Sequence, residues 1–113
     1  MCTAAATFDL TAMRGCADRA SALLKAMANP DRLLLLCQLL QGEHCVSELE
    51  QAVGIGQPSL SQQLGVLREE MLVATRRDGK QIFYRVASDN VLAVLQVLYT
   101  QFCTVQAVPQ RGR

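Results

Sequence analysis

The chain carries almost no net charge, a single histidine, no internal repeat and no apolar run of membrane length, and each shortage removes a class of function. Eleven Lys+Arg stand against ten Asp+Glu in 113 residues, a formal net charge of +1, so any nucleic-acid contact must rest on local charge. With His44 as the only histidine, no plausible catalytic triad can form. There is also no glycine-rich phosphate loop and no carboxylate pair in an apolar setting, so neither an enzyme nor a cofactor is expected. The run Leu33 to Leu40 is strongly apolar but far too short to cross a bilayer, and no membrane partner is expected. The opening residues, MCTAAATFDL, show no basic segment leading into a long apolar run, which predicts no secretory signal and a cytoplasmic location. In that reducing compartment the five cysteines, an odd number, are not a structural disulfide set. They are left as core fillers, metal ligands or redox groups.

What is present is one domain with a regular order of elements. The predicted organisation is a flexible arm over 1–10, a folded domain over 11–105 and a flexible tail over 106–113. Met13, Ala17, Ala20, Leu24 and Met27 recur at three and four, predicting an amphipathic helix over about 11–28. Asn29-Pro30 ends it and opens a second helix, about 31–41, apolar nearly all round and expected at the buried centre. Ser47 with Glu50 resembles a capping box for a third helix that ends at Gly54, although His44 or Cys45 could also open it. Pro58 suits the first residue of a fourth helix, where Leu60, Leu64 and Leu67 form an inward stripe. Residues 72–77 and 81–86 are β-prone runs around Asp78-Gly79, a hairpin signal. Ser88 or Asp89 can cap a last helix whose broad apolar face includes Val91, Leu95, Leu98 and Phe102. The fold class is mainly α with a β-hairpin wing, in the order α-α-α-α-β-β-α: a winged helix-turn-helix.

That unit carries the chemistry of DNA recognition. A major groove admits one α-helix, and its base edges present donors and acceptors that serine and glutamine can read. Gln57, Ser59, Ser61, Gln62 and Gln63 supply such groups near the start of the fourth helix, whose free N–H groups favour nearby phosphates. From Met71 to Val86 stand Arg76, Arg77, Lys80 and Arg85 against Asp78 alone, and the hairpin places Arg76, Arg77 and Lys80 where a wing meets the backbone or minor groove. One copy offers few phosphate contacts, and the apolar faces of the first and last helices exceed what one small core needs. They predict a homodimer through those helices that presents two recognition helices to a palindromic double-stranded operator.

The phrases LLKAMANPDRLLLLCQLLQGE, SELEQAVGIGQPSLSQQLGVLRE and TRRDGKQIFYRV resemble the ArsR/SmtB family of dimeric bacterial repressors, over about residues 23–103. Within it, the resemblance is to members that respond to persulfides and carry one cysteine in the second helix and one near the end of the last. Cys37 and Cys103 hold those positions here. The resemblance implies a repressor that binds its operator when both thiols are reduced. It releases the DNA when persulfides or polysulfides link them by a disulfide or longer bridge, and it controls genes of sulfide detoxification.

Periodicity alone reads Cys37, on a face with Leu33 and Leu40, as a small core residue, and Cys103 as a thiol near a helix end. Cys45 opens a second possibility. Arsenic- and cadmium-sensing members of the family carry Cys-Val-Cys before the recognition helix, and this chain has His44-Cys45-Val46-Ser47 there. Cys45 with His44 is a poor chelate for a soft metalloid unless Cys2 or Cys16 joins it. The histidine that zinc sensors of the family carry on the last helix is missing, although Asp89 is present. Cys16 reads as packing, Cys2 as a bystander and His44 as a loop residue. The alternatives are therefore a metal- or metalloid-responsive repressor, a sensor of peroxide or another oxidant, and a protein-binding winged domain with inert cysteines.

Overall fold

Seven side chains from four helices form the fully buried centre: Leu35 and Leu36, Leu49, Leu60, Leu64 and Leu67, and Val91. The computed structural model describes residues 7–103. In chain order it has α1 (Leu10–Met27), α2 (Pro30–Leu39), β1 (His44–Cys45), α3 (Val46–Val53), α4 (Ser59–Glu69), β2 (Val73–Asp78), β3 (Gln81–Val86) and α5 (Asp89–Phe102). Each fully buried leucine contributes about 2 kcal/mol by leaving water, so this small set supplies much of what holds the helices together. The expected tail at 106–113, most of the expected arm and Cys2 lie outside the described residues. Among residues 7–10 of the arm, Leu10 already begins α1.

Local chemistry explains where the helices begin. The Asp9 carboxylate accepts the Thr11 N–H at 2.9 Å and starts α1. The Asn29 side chain accepts the N–H groups of Asp31 and Arg32 while Pro30 takes the first helical position of α2. The opening of α3 differs from the expected Ser47–Glu50 box. Cys45 is the capping residue, and its N–H donates to the Glu48 carboxylate at 3.0 Å, the alternative start that the sequence also allows. Gly54 follows α3 with a φ of 73°, the left-handed conformation that lets the chain turn sharply toward α4. Pro58 caps α4 from just outside, one residue earlier than the helical position expected for it.

The hairpin forms as the sequence predicts, with Asp78 paired to Gln81 across the two-residue loop Gly79–Lys80. Gly79 takes a φ of 66° at the first loop position, which a side chain would oppose. A third strand was not legible: β1 pairs antiparallel with β3, His44 opposite Tyr84 and Cys45 opposite Phe83, giving the order β1-β3-β2. Two residues are too few to show a period, so only the tertiary pairing creates this strand.

The expectation for α2 needs correction. Leu35, Leu36 and Leu39 are buried, but Leu34 is 52% exposed and Cys37 is exposed, so the helix is covered on one side only. Its uncovered side faces a groove shared with α5. The first helix is barer still: α1 buries only Ala26 and Met27, and its predicted apolar face, including Met13 and Leu24, is open. On α5 only Val91 is buried, and Leu92, Val97, Tyr99 and Phe102 remain exposed.

Candidate nucleic-acid interface and thiol groove

The helix-turn-helix presents α4 with its leucines inward and its serines and glutamines divided between two tasks. Leu60, Leu64 and Leu67 are buried as the spacing predicts, which turns Ser61 and Gln62 outward. Gln57 is exposed, but its carbonyl oxygen accepts the Ser61 N–H at 3.1 Å and the Ser61 hydroxyl at 2.7 Å. It therefore caps the first turn of α4 and holds Ser61 in place. Ser59 is half-buried at the first helical position. Gln63, expected on the exposed face, is half-buried, and its carbonyl accepts from the Arg32 guanidinium at 2.8 Å. Its role is to tie α4 to α2.

Arg32 is the positioning residue that the sequence reading did not single out. Its guanidinium also donates to the carbonyls of Ala26 and Lys25, so one side chain joins the end of α1, α2 and the recognition helix. The available signal was a lone cation, next to Asp31, at the head of an otherwise apolar helix and beside the Asn29-Pro30 junction.

The three wing cations also differ from one another. Arg76 donates through Nε to both Glu43 carboxylate oxygens, at 3.0 and 2.8 Å, and its guanidinium lies 4.8 Å from the Phe83 ring centroid. A second, looser pair joins it to Asp78 at 3.7 Å. The hydrogen bond from Arg76 holds the Glu43 carboxyl below its usual range, and the same bond raises the Arg76 guanidinium. Arg76 is thus committed to the corner where β1 meets the hairpin. Arg77, whose Nε donates to the Gly79 carbonyl at 3.3 Å, and Lys80 are exposed and form no ion pair among the described residues, and with Arg85 of β3, exposed and likewise without an ion pair, they are cations available to a phosphate.

The two cysteines of the expected switch lie on one site. Cys37 and Cys103 both line an apolar cavity of about 350 Å³ between α2 and α5, with Leu34, Leu98, Tyr99 and Phe102 among its walls. Cys37 is exposed, Cys103 is partly buried at the end of α5, and both are free thiols.

Cys45 sits apart from them, buried at the head of α3, with its sulfur 3.3 Å from the Ser47 hydroxyl. Beside it, His44 is engaged at both ring nitrogens, 2.7 Å from the Gly42 carbonyl and 3.1 Å from the Gln38 amide nitrogen. The 2.7 Å contact makes the Gly42 side the donor side of the ring, leaving Nε2 to accept from Gln38. Cys16, expected as packing, lies partly exposed on α1 with its thiol 3.9 Å from the Met13 sulfur. Among the described residues, no three of His, Cys, Asp and Glu gather where they could hold a metal ion. No helix of the described residues is long and apolar enough to cross a membrane.

Comparison with known proteins agrees with this geometry. Residues 29–75 match the family described as bacterial regulatory protein, arsR family. A biofilm growth-associated repressor of Xylella fastidiosa is 54% identical over 88 residues, covering 78% of this chain and 77% of that protein. The crystal structure of the transcriptional repressor BigR from Xylella fastidiosa superposes with a TM-score of 0.81 at 50% identity, over 85% of this chain and 98% of that one. A homodimeric winged helix-turn-helix DNA-binding domain, Mb0332 of Mycobacterium bovis, matches with a TM-score of 0.71 at 27% identity, over 97% and 100% of the two chains. The buried leucine stripe of α4, the glycine turn before it and the hairpin wing after it are thus the parts of a regulator, and the chain belongs to the ArsR family of bacterial transcriptional regulators.

Proposed function

We propose that this protein is a dimeric, cytoplasmic repressor whose hold on palindromic operator DNA is controlled by reactive sulfur at Cys37 and Cys103. The observation that carries the reading is that both thiols line one apolar groove, between a core helix and a helix with unsatisfied apolar surface. Ser61 and Gln62 read bases, with Gln57 and Ser59 shaping the start of α4, and Arg77 and Lys80 meet the backbone. The exposed faces of α1 and α5 supply the two-fold contact, as a homodimeric relative makes reasonable.

The chemistry balances without a further oxidant. The thiolate of Cys37, the more exposed of the pair, attacks the outer sulfur of a small-molecule persulfide, takes it and releases the parent thiol. The Cys103 thiolate then attacks the Cys37 sulfur, forming the disulfide and expelling hydrosulfide. If both cysteines are first persulfidated, attack of one on the other leaves a three-sulfur bridge and again expels hydrosulfide. Either bridge ties α2, beside the core, to α5, in the dimer contact. That changes the separation of two recognition helices which must match two half-sites about one helical turn apart.

The test is a fluorescence-anisotropy titration of reduced protein on its own promoter DNA, repeated after glutathione persulfide and after arsenite or cadmium. Binding lost to persulfide and kept with metalloid supports the reading. Loss to metalloid alone transfers the switch to Cys45, where His44 is already engaged and the Ser47 hydroxyl lies 3.3 Å from the sulfur. Absence of binding even at low salt favours a protein-binding winged domain.

A further inference from the structure

Arg32 commits each of its three guanidinium nitrogens to a different acceptor, and those acceptors belong to two other helices. Nε donates to the Ala26 carbonyl and Nη2 to the Lys25 carbonyl at 3.3 Å, both in the last turn of α1. At a helix end the carbonyls run out of helical partners and carry partial negative charge, which suits a cation. Nη1 donates to the Gln63 side-chain oxygen of α4 at 2.8 Å, across 31 residues of sequence.

The planar fork of arginine fixes directions as well as distances. Beside it, α2 and α4 share a buried cluster that includes Leu35, Leu36, Leu60 and Leu64. Such packing is non-directional, so it holds two helices together and leaves rotation about the contact comparatively soft. The bonds between Gln57 and Ser61 stay within the first turn of α4 and do not restrain it against the domain. The bond from Arg32 to Gln63 does.

DNA demands that restraint. The helix α4 has 11 residues, a length of roughly 16 Å at 1.5 Å per residue. Turning it by about 10° around one end carries the other end by about 3 Å, close to the ~3.4 Å rise of one base pair. In a two-fold dimer the same turn occurs in both protomers, and the errors at the two half-sites add.

We propose that Arg32 sets the angle of the recognition helix relative to α1, and thereby the half-site spacing that the dimer accepts. It is a positioning residue that acts through Gln63, and neither side chain has to touch a base. The proposal rests on the dimeric, palindrome-reading function above and is independent of the thiol switch.

The test is selectivity for spacing. Footprinting of the reduced protein locates its operator in the promoter, and duplexes are made with one base pair inserted or deleted at the centre of symmetry. One base pair shifts the half-sites by about 3.4 Å and turns them by roughly 35°. The unsubstituted dimer should therefore bind the altered duplexes on the order of 30-fold more weakly than the natural one. Gln63→Met keeps the shape of the side chain and removes the acceptor, and its ratio should fall below about fivefold, chiefly through loss on the natural spacing. Arg32→Lys, whose single nitrogen cannot span three acceptors, should lose the ratio as well. Gln63→Glu should keep it. A carboxylate still accepts from the guanidinium, and its added charge repels every duplex equally and cancels in the ratio. Sedimentation and Tm identify each variant as a folded dimer. A ratio retained by folded Gln63→Met or by folded Arg32→Lys overturns the proposal. Loss of the ratio in Gln63→Glu also overturns it, because Gln63 then acts without Arg32. An unsubstituted protein indifferent to spacing overturns the palindromic reading, and this proposal with it.

Discussion

The two ends of this molecule solve the problem of apolar surface in opposite ways. From α3 through the wing, most apolar side chains turn inward: Leu49, Leu60, Leu64, Leu67, Leu72 and Val73 are buried, Met71 and Ile82 are the large exceptions, and what faces out is mostly polar or charged. In α1 and α5 the apolar side chains turn outward, and one turn of α1 and one residue of α5 are all that they bury. Monomeric proteins seldom leave such a contiguous area uncovered. The reading half buries its apolar side chains against Leu35, Leu36 and Val91 of the neighbouring helices, whereas α1 and α5 leave most of theirs uncovered among the described residues. A repressor needs both, because one domain alone makes too few contacts for tight site-specific binding at cellular salt.

Substitutions that treat the two halves alike should have unlike effects. Leu64→Ala removes a core leucine and should cost about 2–5 kcal/mol in chemical denaturation, whereas Leu24→Ala on α1, measured under monomeric conditions, should stay within about 0.5 kcal/mol. Equal losses would erase the distinction. Val97→Glu on the outer face of α5 should leave monomer stability nearly unchanged. It should nevertheless shift sedimentation to the monomer and weaken operator binding by roughly 100-fold, through loss of the second half-site.

Within the wing the contrast is finer. Lys80→Ala or Arg77→Ala should weaken binding about two- to fivefold on any sequence and reduce the salt slope by about 1, since each removes a phosphate contact. Arg76→Ala should do less to the salt slope and more to stability, because Arg76 is already engaged by Glu43 and Phe83.

The smallest effect concerns acid. The hydrogen bond from Arg76 depresses the Glu43 carboxyl in the folded state, so its contribution is complete above the unfolded value and disappears as pH falls through the lower folded one. Arg76 is exposed and Glu43 partly so, and the change in Tm should be small and confined to pH below about 4.5, and Glu43→Gln should flatten that acid limb while leaving Tm at neutral pH almost unaltered.

The legibility of the sequence follows the same division. The reading half is built from local signals: the leucine spacing of α4, a glycine after α3 and a two-residue hairpin loop. Each leaves a period or a turn residue in the chain, and each is recovered in the structure. What escaped is tertiary. The strand β1 exists because β3 passes beside it, and Gln63 looked free until Arg32 reached it from another helix. Arg76 was one of three equivalent cations until Glu43, 33 residues away in sequence, was brought to its side. For α2, a nearly continuous apolar run suggested complete burial, but a sequence cannot distinguish apolar surface buried in its own chain from apolar surface reserved for a groove.

The central claim is that thiols outside the reading half, on α2 and at the end of α5, control it. Its most direct test is promoter-DNA affinity of the Cys37→Ser, Cys103→Ser double variant, measured by anisotropy beside the unsubstituted protein, before and after glutathione persulfide. The account predicts equal affinity for the two reduced proteins, and release of DNA by persulfide from the unsubstituted protein alone. If the double variant releases its DNA just as readily, the switch lies elsewhere in the molecule and the claim is wrong.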